Sequence, residues 1–148
     1  MDQDEYNKQS VHWRELNEGD SISSMTYRVP HADVVSYVNE VVDDPDPWYL
    51  EDSPYGGPIV PPGYFYGQYI NLIAAVNFPM GALNAKISFE SKGAVLHGEQ
   101  VTVKGTIAKL YKKKGRPYVD IAIDVLNEKG LEVNQGVVTL VLDLHKEE

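Results

Sequence analysis

The residues best equipped for chemistry are crowded into one stretch, Val41 to Gly67: VVDDPDPWYLEDSPYGGPIVPPGYFYG. Five acids (Asp43, Asp44, Asp46, Glu51, Asp52) and six aromatics (Trp48, Tyr49, Tyr55, Tyr64, Phe65, Tyr66) fall in it. Carboxylates can exchange protons, and tyrosines can donate hydrogen bonds from an otherwise apolar ring. An acid-rich turn leads into a Pro/Gly loop, and the loop opens directly into an apolar segment. That mixture reads as the mouth of a site, where polar groups sit beside an apolar wall. Between Pro54 and Pro62 there are four prolines and two glycines, so this part is loop. The prolines stiffen it by fixing φ, and Gly63 leaves its own amide approachable.

The elements that must position this stretch can be read from apolar spacing. Ser21–Val29 fits a strand, with Ile22, Met25, Tyr27 and Val29 as its apolar points. Ala32–Val42 fits a short helix, because Val34, Val35, Val38 and Val41/Val42 share one face. Asp43-Asp44-Pro45 ends it, since the residue before proline disfavours the α region. Gly63–Val76 fits a second helix. Phe65, Tyr69, Leu72, Ile73 and Val76 line one face, and Tyr66, Ile70 and Ala74 the next. A helix apolar on most sides is expected to be buried.

Four strands follow: Ala82–Ser91, Gln100–Tyr111, Tyr118–Asn127 and Val133–Leu144. The third is the cleanest. Val119, Ile121, Ile123 and Val125 point one way, and Asp120, Ala122 and Asp124 the other. Lys114-Gly115 and Asn127-Glu128-Lys129-Gly130 mark the turns. A buried helix followed by hairpin-linked strands gives an α+β architecture, an antiparallel sheet wrapped on a helix.

Composition bounds the function. At 148 residues the chain is read as one domain, 1–148, with residues 1–15 polar and expected to be loose. The formal net charge of −9 argues against a nucleic-acid partner. The one basic cluster, Lys112-Lys113-Lys114 with Arg116, reads as a solvated hairpin tip. Cysteine is absent, which removes disulfides and thiolate chemistry. The start MDQDEYNKQS lacks the apolar run of a signal peptide, and no segment is long enough for a membrane span. A soluble cytoplasmic protein is expected. His12, His31, His97 and His145 are scattered without metal-ligand spacing, so no metal and no cofactor is expected.

The order of helix, acidic turn, Pro/Gly loop, buried helix and antiparallel strands resembles a hotdog fold. More narrowly, the chain resembles the MaoC-like (R)-specific enoyl hydratase and 3-hydroxyacyl dehydratase family, from about Trp13 to Leu144. WRELNEGDSISSMTYRVPHADVVSYVNEV resembles that family's entry strand and first helix, and KGAVLHGEQVTVKGTI its strand pair. The family's Gly-Asp-x-Asn-Pro-Ile-His turn falls on Asp43, Asp44, Pro45, Asp46, Pro47, Trp48 and Tyr49. The resemblance places the catalytic Asp at Asp44 and the catalytic His at Tyr49. The family's His-Gly pair falls on Pro62 and Gly63.

That departure matters chemically. Hydration of a 2-enoyl thioester needs a water held between a carboxylate and an imidazole. Tyrosine, with an ordinary pKa of roughly 10, is a poor base at neutral pH but can donate a hydrogen bond. The Gly63 amide, at the start of the buried helix, would polarise the thioester carbonyl.

The resemblance therefore implies Asp44, Tyr49 and Gly63 as catalytic residues, with Asp46, Trp48, Tyr55, Pro62 and Tyr64 binding substrate. The ligand it implies is an acyl-CoA or acyl-carrier-protein thioester. The implied assembly is a homodimer, or a heterodimer with another hotdog subunit. Asp-Pro-Asp-Pro-Trp-Tyr is also similar to the turn of helper subunits in paired hotdog dehydratases, which hold the acyl chain while a partner does the chemistry. A third reading is a hotdog thioesterase or a small-molecule binding or cyclising protein. Gln68, where a thioesterase would carry an acid, counts against the first of these.

Overall fold

The computed structural model describes residues 16–42, 46–74 and 83–142. Five strands form one antiparallel sheet: β1 (Ser21–Arg28), β2 (Leu83–Ser91), β3 (Gln100–Lys113), β4 (Arg116–Leu126) and β5 (Glu132–Val141). Their order across the sheet is β1-β3-β4-β5-β2. The helices are α1 (His31–Tyr37), α2 (Pro47–Leu50) and α3 (Tyr64–Ala74), with a π-helical turn at Val38–Val42 following α1.

The period-two pattern sets the sheet. Val119, Ile121, Ile123 and Val125 are all fully buried, opposite Leu140, Val138, Gly136 and Asn134 of β5. Val101, Val103 and Ile107 complete the covered face. The β3–β4 hairpin turns at Lys114 and Gly115, both with positive φ, and the lysines at its tip are exposed.

Helix α3 lies against this face. Phe65, Tyr69 and Leu72 point into the core. The sheet makes room with glycines. A Cβ on Gly105 would press on Leu72 at 2.9 Å, and one on Gly136 would collide with the Tyr69 ring and the Ser88 carbonyl. The Tyr69 hydroxyl donates to Asn134 Oδ1, which pins the helix to β5 through a buried polar pair.

Two expectations need correction. The outer face of α3 is not covered: Tyr66 is 47% and Ile70 37% exposed. A single chain supplies one sheet, and one sheet covers only one side of the helix. Similarly, Val34 and Val38 of the first helix are buried but Val41 is 66% exposed. The wider i→i+5 turn after Tyr37 rotates Val41 out of the apolar stripe. The expected loose residues 1–15, His12, His145 and the end of the second helix lie outside the described residues.

Candidate functional site

The Pro/Gly loop is held by backbone pairing. Ile59 N–H donates to the Trp48 carbonyl at 2.8 Å, and Val60 N–H to the Val95 carbonyl at 2.7 Å. Ile59 also bridges Leu96. The chain then tightens into α3 through short turns: Tyr64 N–H to Pro61 O, Phe65 N–H to Pro62 O and Tyr66 N–H to Gly63 O. Among the described residues no group accepts from the Gly63 N–H.

A cavity of about 480 Å³ opens beside this helix start. Gly63, Tyr64, Tyr37, Asn71 and Phe89 are among its lining residues. None of the described residues that line it carries a formal charge. Phe89 is on β2, an edge strand of the sheet, and remains 43% exposed.

Tyrosines dominate the wall. Tyr37 and Tyr64 meet edge to face, ring centroids 5.8 Å apart. Burial pushes the Tyr37 hydroxyl above its ordinary pKa, and neighbouring Tyr49 adds to the effect. Burial does the same for Tyr64, reinforced by Asp33, and for Tyr27, which does not line the cavity, reinforced by Tyr64. These phenols stay protonated at neutral pH, so each has a proton to donate and none is a base.

A second cavity, of about 580 Å³, sits by the β4–β5 turn. Tyr55, His97, Glu99, Glu128, Lys129 and Leu131 help to line it. Behind it His31 and His97 bring their Nδ1 atoms to 2.8 Å. His97 Nε2 faces the Ile59 carbonyl at 3.3 Å. Desolvation lowers the His97 pKa, and His31 lowers it further against the opposing pull of the Ile59 and Tyr49 carbonyls.

The sequence-derived candidates thus divide. Gly63 and Tyr64 line the first cavity, and Pro62 accepts in the turn just before it. Tyr49 is half-buried against the core, close enough to Tyr37 to act on its titration. Asp46 caps α2, its Oδ1 accepting from Trp48 N–H at 2.9 Å. Tyr55 lines the second cavity, and Trp48 packs edge-on against it with the ring partly in solvent. The expected cleft united Tyr49, Tyr55 and Tyr64; Tyr55 and Tyr64 instead line different cavities, and Tyr49 lines neither of these two. Asp44 lies outside the described residues.

Tyr37, Asn71 and Phe89 were not among the sequence candidates. Phe89 carried a signal, an apolar residue in phase with Ile87 on one face of β2. Tyr37 carried none, since only the fold brings it to Gly63. Among the described residues no three acids or histidines converge as metal ligands. No helix among them is long and apolar enough to cross a membrane.

No family model matches the sequence, and no curated protein matches it. Solved structures do match. The chain is similar to an (R)-hydratase from A. caviae involved in PHA biosynthesis, with TM-score 0.77 and 18% identity over 88% of this chain and 99% of that one. The fold is the hotdog fold. A MaoC-like dehydratase from Rhodospirillum rubrum gives TM-score 0.76 and 21% identity, covering 90% of this chain and 97% of that one. A chain of the HadBC (3R-hydroxyacyl-ACP dehydratase) complex from Mycobacterium tuberculosis gives TM-score 0.68 and 15% identity, covering 83% and 96%. The structural neighbours of this hotdog are thus MaoC-like hydratases and dehydratases. At these identities the likeness is one of backbone.

Proposed function

We propose that this hotdog binds an acyl thioester, on CoA or on an acyl carrier protein, in the aromatic cavity at the start of α3. The observation that carries the reading is the Gly63 N–H, without an acceptor among the described residues, beside an aromatic wall whose described residues carry no formal charge. An N–H at a helix start, next to the positive end of the helix dipole, suits a carbonyl oxygen that gains negative charge. The aromatic wall suits an acyl chain. The chemistry is of the hydratase/dehydratase class, with Asp44 and Tyr49 in place of an Asp/His pair.

Tyr49 cannot take the proton that an imidazole would. Turnover by the chain alone should therefore be weak or absent in a crotonyl-CoA hydration assay. Tyr49→His should raise it. Wild-type turnover near the roughly 10 per second of an ordinary enzyme would show that the proton-transfer half is intact and the reading of a disabled pair wrong.

A second reading is favoured by the surface. Tyr66, Ile70 and Phe89 leave apolar area exposed on α3 and on edge strand β2. An open edge next to an apolar face is a pairing surface. We infer a dimer that joins two sheets there, either with itself or with a second hotdog that carries the proton-transfer residues. The likeness to a chain of the HadBC complex supports the paired form. Sedimentation at micromolar concentration tests it, with the chain alone and with a complete hotdog added: a stable monomer in both runs counts against both forms.

A further inference from the structure

Tyr37 ends α1, and the π-helical turn begins immediately after it. Its ring is held edge-on by Tyr64, at 88° between planes. That contact fixes where the hydroxyl goes. A Cβ built on Gly63 would stand 2.7 Å from the Tyr37 hydroxyl oxygen and 3.9 Å from Cζ. The phenol therefore reaches into the volume that any other residue at position 63 would fill. Both residues line the same 480 Å³ cavity. Among the described residues no protein group hydrogen-bonds this hydroxyl. A protonated phenol has a proton to give, and none of the described residues lining its cavity is a charged acceptor.

We propose that Tyr37 is a ligand-binding residue of this site, its hydroxyl donating to the carbonyl oxygen of the acyl thioester beside Gly63. The assignment rests on the acyl-thioester reading above. It also gives a second reason for glycine at position 63: the missing Cβ leaves room for the phenol. A methyl group there would push the hydroxyl aside while leaving the Gly63 backbone N–H in place. Gly63→Ala and Tyr37→Phe should then remove the same contact, and their effects on binding should not add.

The test uses the full chain and crotonyl-CoA labelled with ¹³C at the thioester carbonyl. Affinity is read by calorimetry, and the carbonyl stretch of the bound ligand by difference infrared spectroscopy. In wild type the band should move to lower frequency on binding. In Tyr37→Phe much of that shift should disappear, with affinity about tenfold weaker, the loss of one hydrogen bond. Thermal stability should be nearly unchanged. A band in Tyr37→Phe at the wild-type position overturns the assignment and leaves the acyl-thioester reading standing. No binding by wild type overturns that reading and the assignment with it. If Tyr37→Phe does not fold, Gly63→Ala serves, and an unmoved band there overturns the assignment equally.

Discussion

The two cavities differ in kind, although one stretch of sequence feeds both. The cavity at α3 is aromatic and, among the described residues that line it, neutral; Tyr37, Gly63, Tyr64 and Phe89 help to build it. The cavity at the β4–β5 turn mixes His97, Glu99, Glu128 and Lys129 with Tyr55 and Leu131. Tyr55 and Gly63 are close in sequence yet belong to different cavities. The divider is the loop between them, where Ile59 is tied to Trp48 and Leu96, and Val60 to Val95. Those ties turn the chain, so Tyr55 before them lines one cavity and Gly63 and Tyr64 after them the other. A cluster of acids and aromatics in sequence is therefore not one site. Backbone pairing decides which members meet.

The largest effect should come from lifting α3 off the sheet, because the neutral cavity depends on that contact. Gly136→Val would drive a side chain into the Ser88 carbonyl and the Tyr69 ring, the first of which is backbone and cannot swing away. We expect a loss of about 3 kcal/mol, or roughly 10 °C in Tm. Thermal unfolding followed by circular dichroism measures it. A Tm close to wild type would mean that the helix–sheet contact is not what shapes the cavity.

The next effect separates the cavities directly. Gly63→Val should abolish octanoyl-CoA binding while the protein stays folded, since what the new side chain meets is the hydroxyl at the far end of the Tyr37 side chain and not backbone. Tyr55→Ala should leave that binding within about twofold, a change worth less than 0.5 kcal/mol. If Tyr55→Ala weakens binding as much as Gly63→Val does, the ligand extends into the charged cavity and the division drawn above is wrong.

The sheet and the core of α3 were legible because period two and period 3.6 are local signals. Val119 to Val125 alternate cleanly, and Phe65, Tyr69 and Leu72 share one stripe. Helix α2 also had a local sign that the turn reading passed over. Asp46 followed by Pro47 is an N-cap followed by proline at the first helical position. The exposed side of α3 was misread because apolar residues do not say what will cover them. Tyr37 was illegible for a different reason. It reaches Gly63 only because α1 and the Pro/Gly loop pack side by side, and no pattern within either segment reports that. The π-helical turn left no mark either, and it puts Val41 out of phase with Val34 and Val38.

The smallest effect concerns the charged cavity and should be absent from the neutral one. With Nε2 donating to the Ile59 carbonyl, His97 Nδ1 is left to accept the His31 Nδ1–H at 2.8 Å. A proton added to His97 would set one N–H against another. Burial acts in the same direction, so the folded protein holds His97 below its ordinary pKa. The unfolded chain, with His97 near the usual value of roughly 6.5, then binds the proton more readily than the folded one. This contribution to stability is complete above that value and is lost as pH falls through it. Glu99 and Glu128 across the cavity can soften the loss by attracting an imidazolium, and Lys129 opposes them. Wild type should therefore lose Tm between about pH 7 and pH 5, and His97→Gln should show a flatter profile over that range. Among the described residues that line the neutral cavity none is a histidine or a carboxylate, so Gly63→Val should keep the wild-type slope. Parallel profiles for wild type and His97→Gln would show that the histidine pair does not distinguish the two regions.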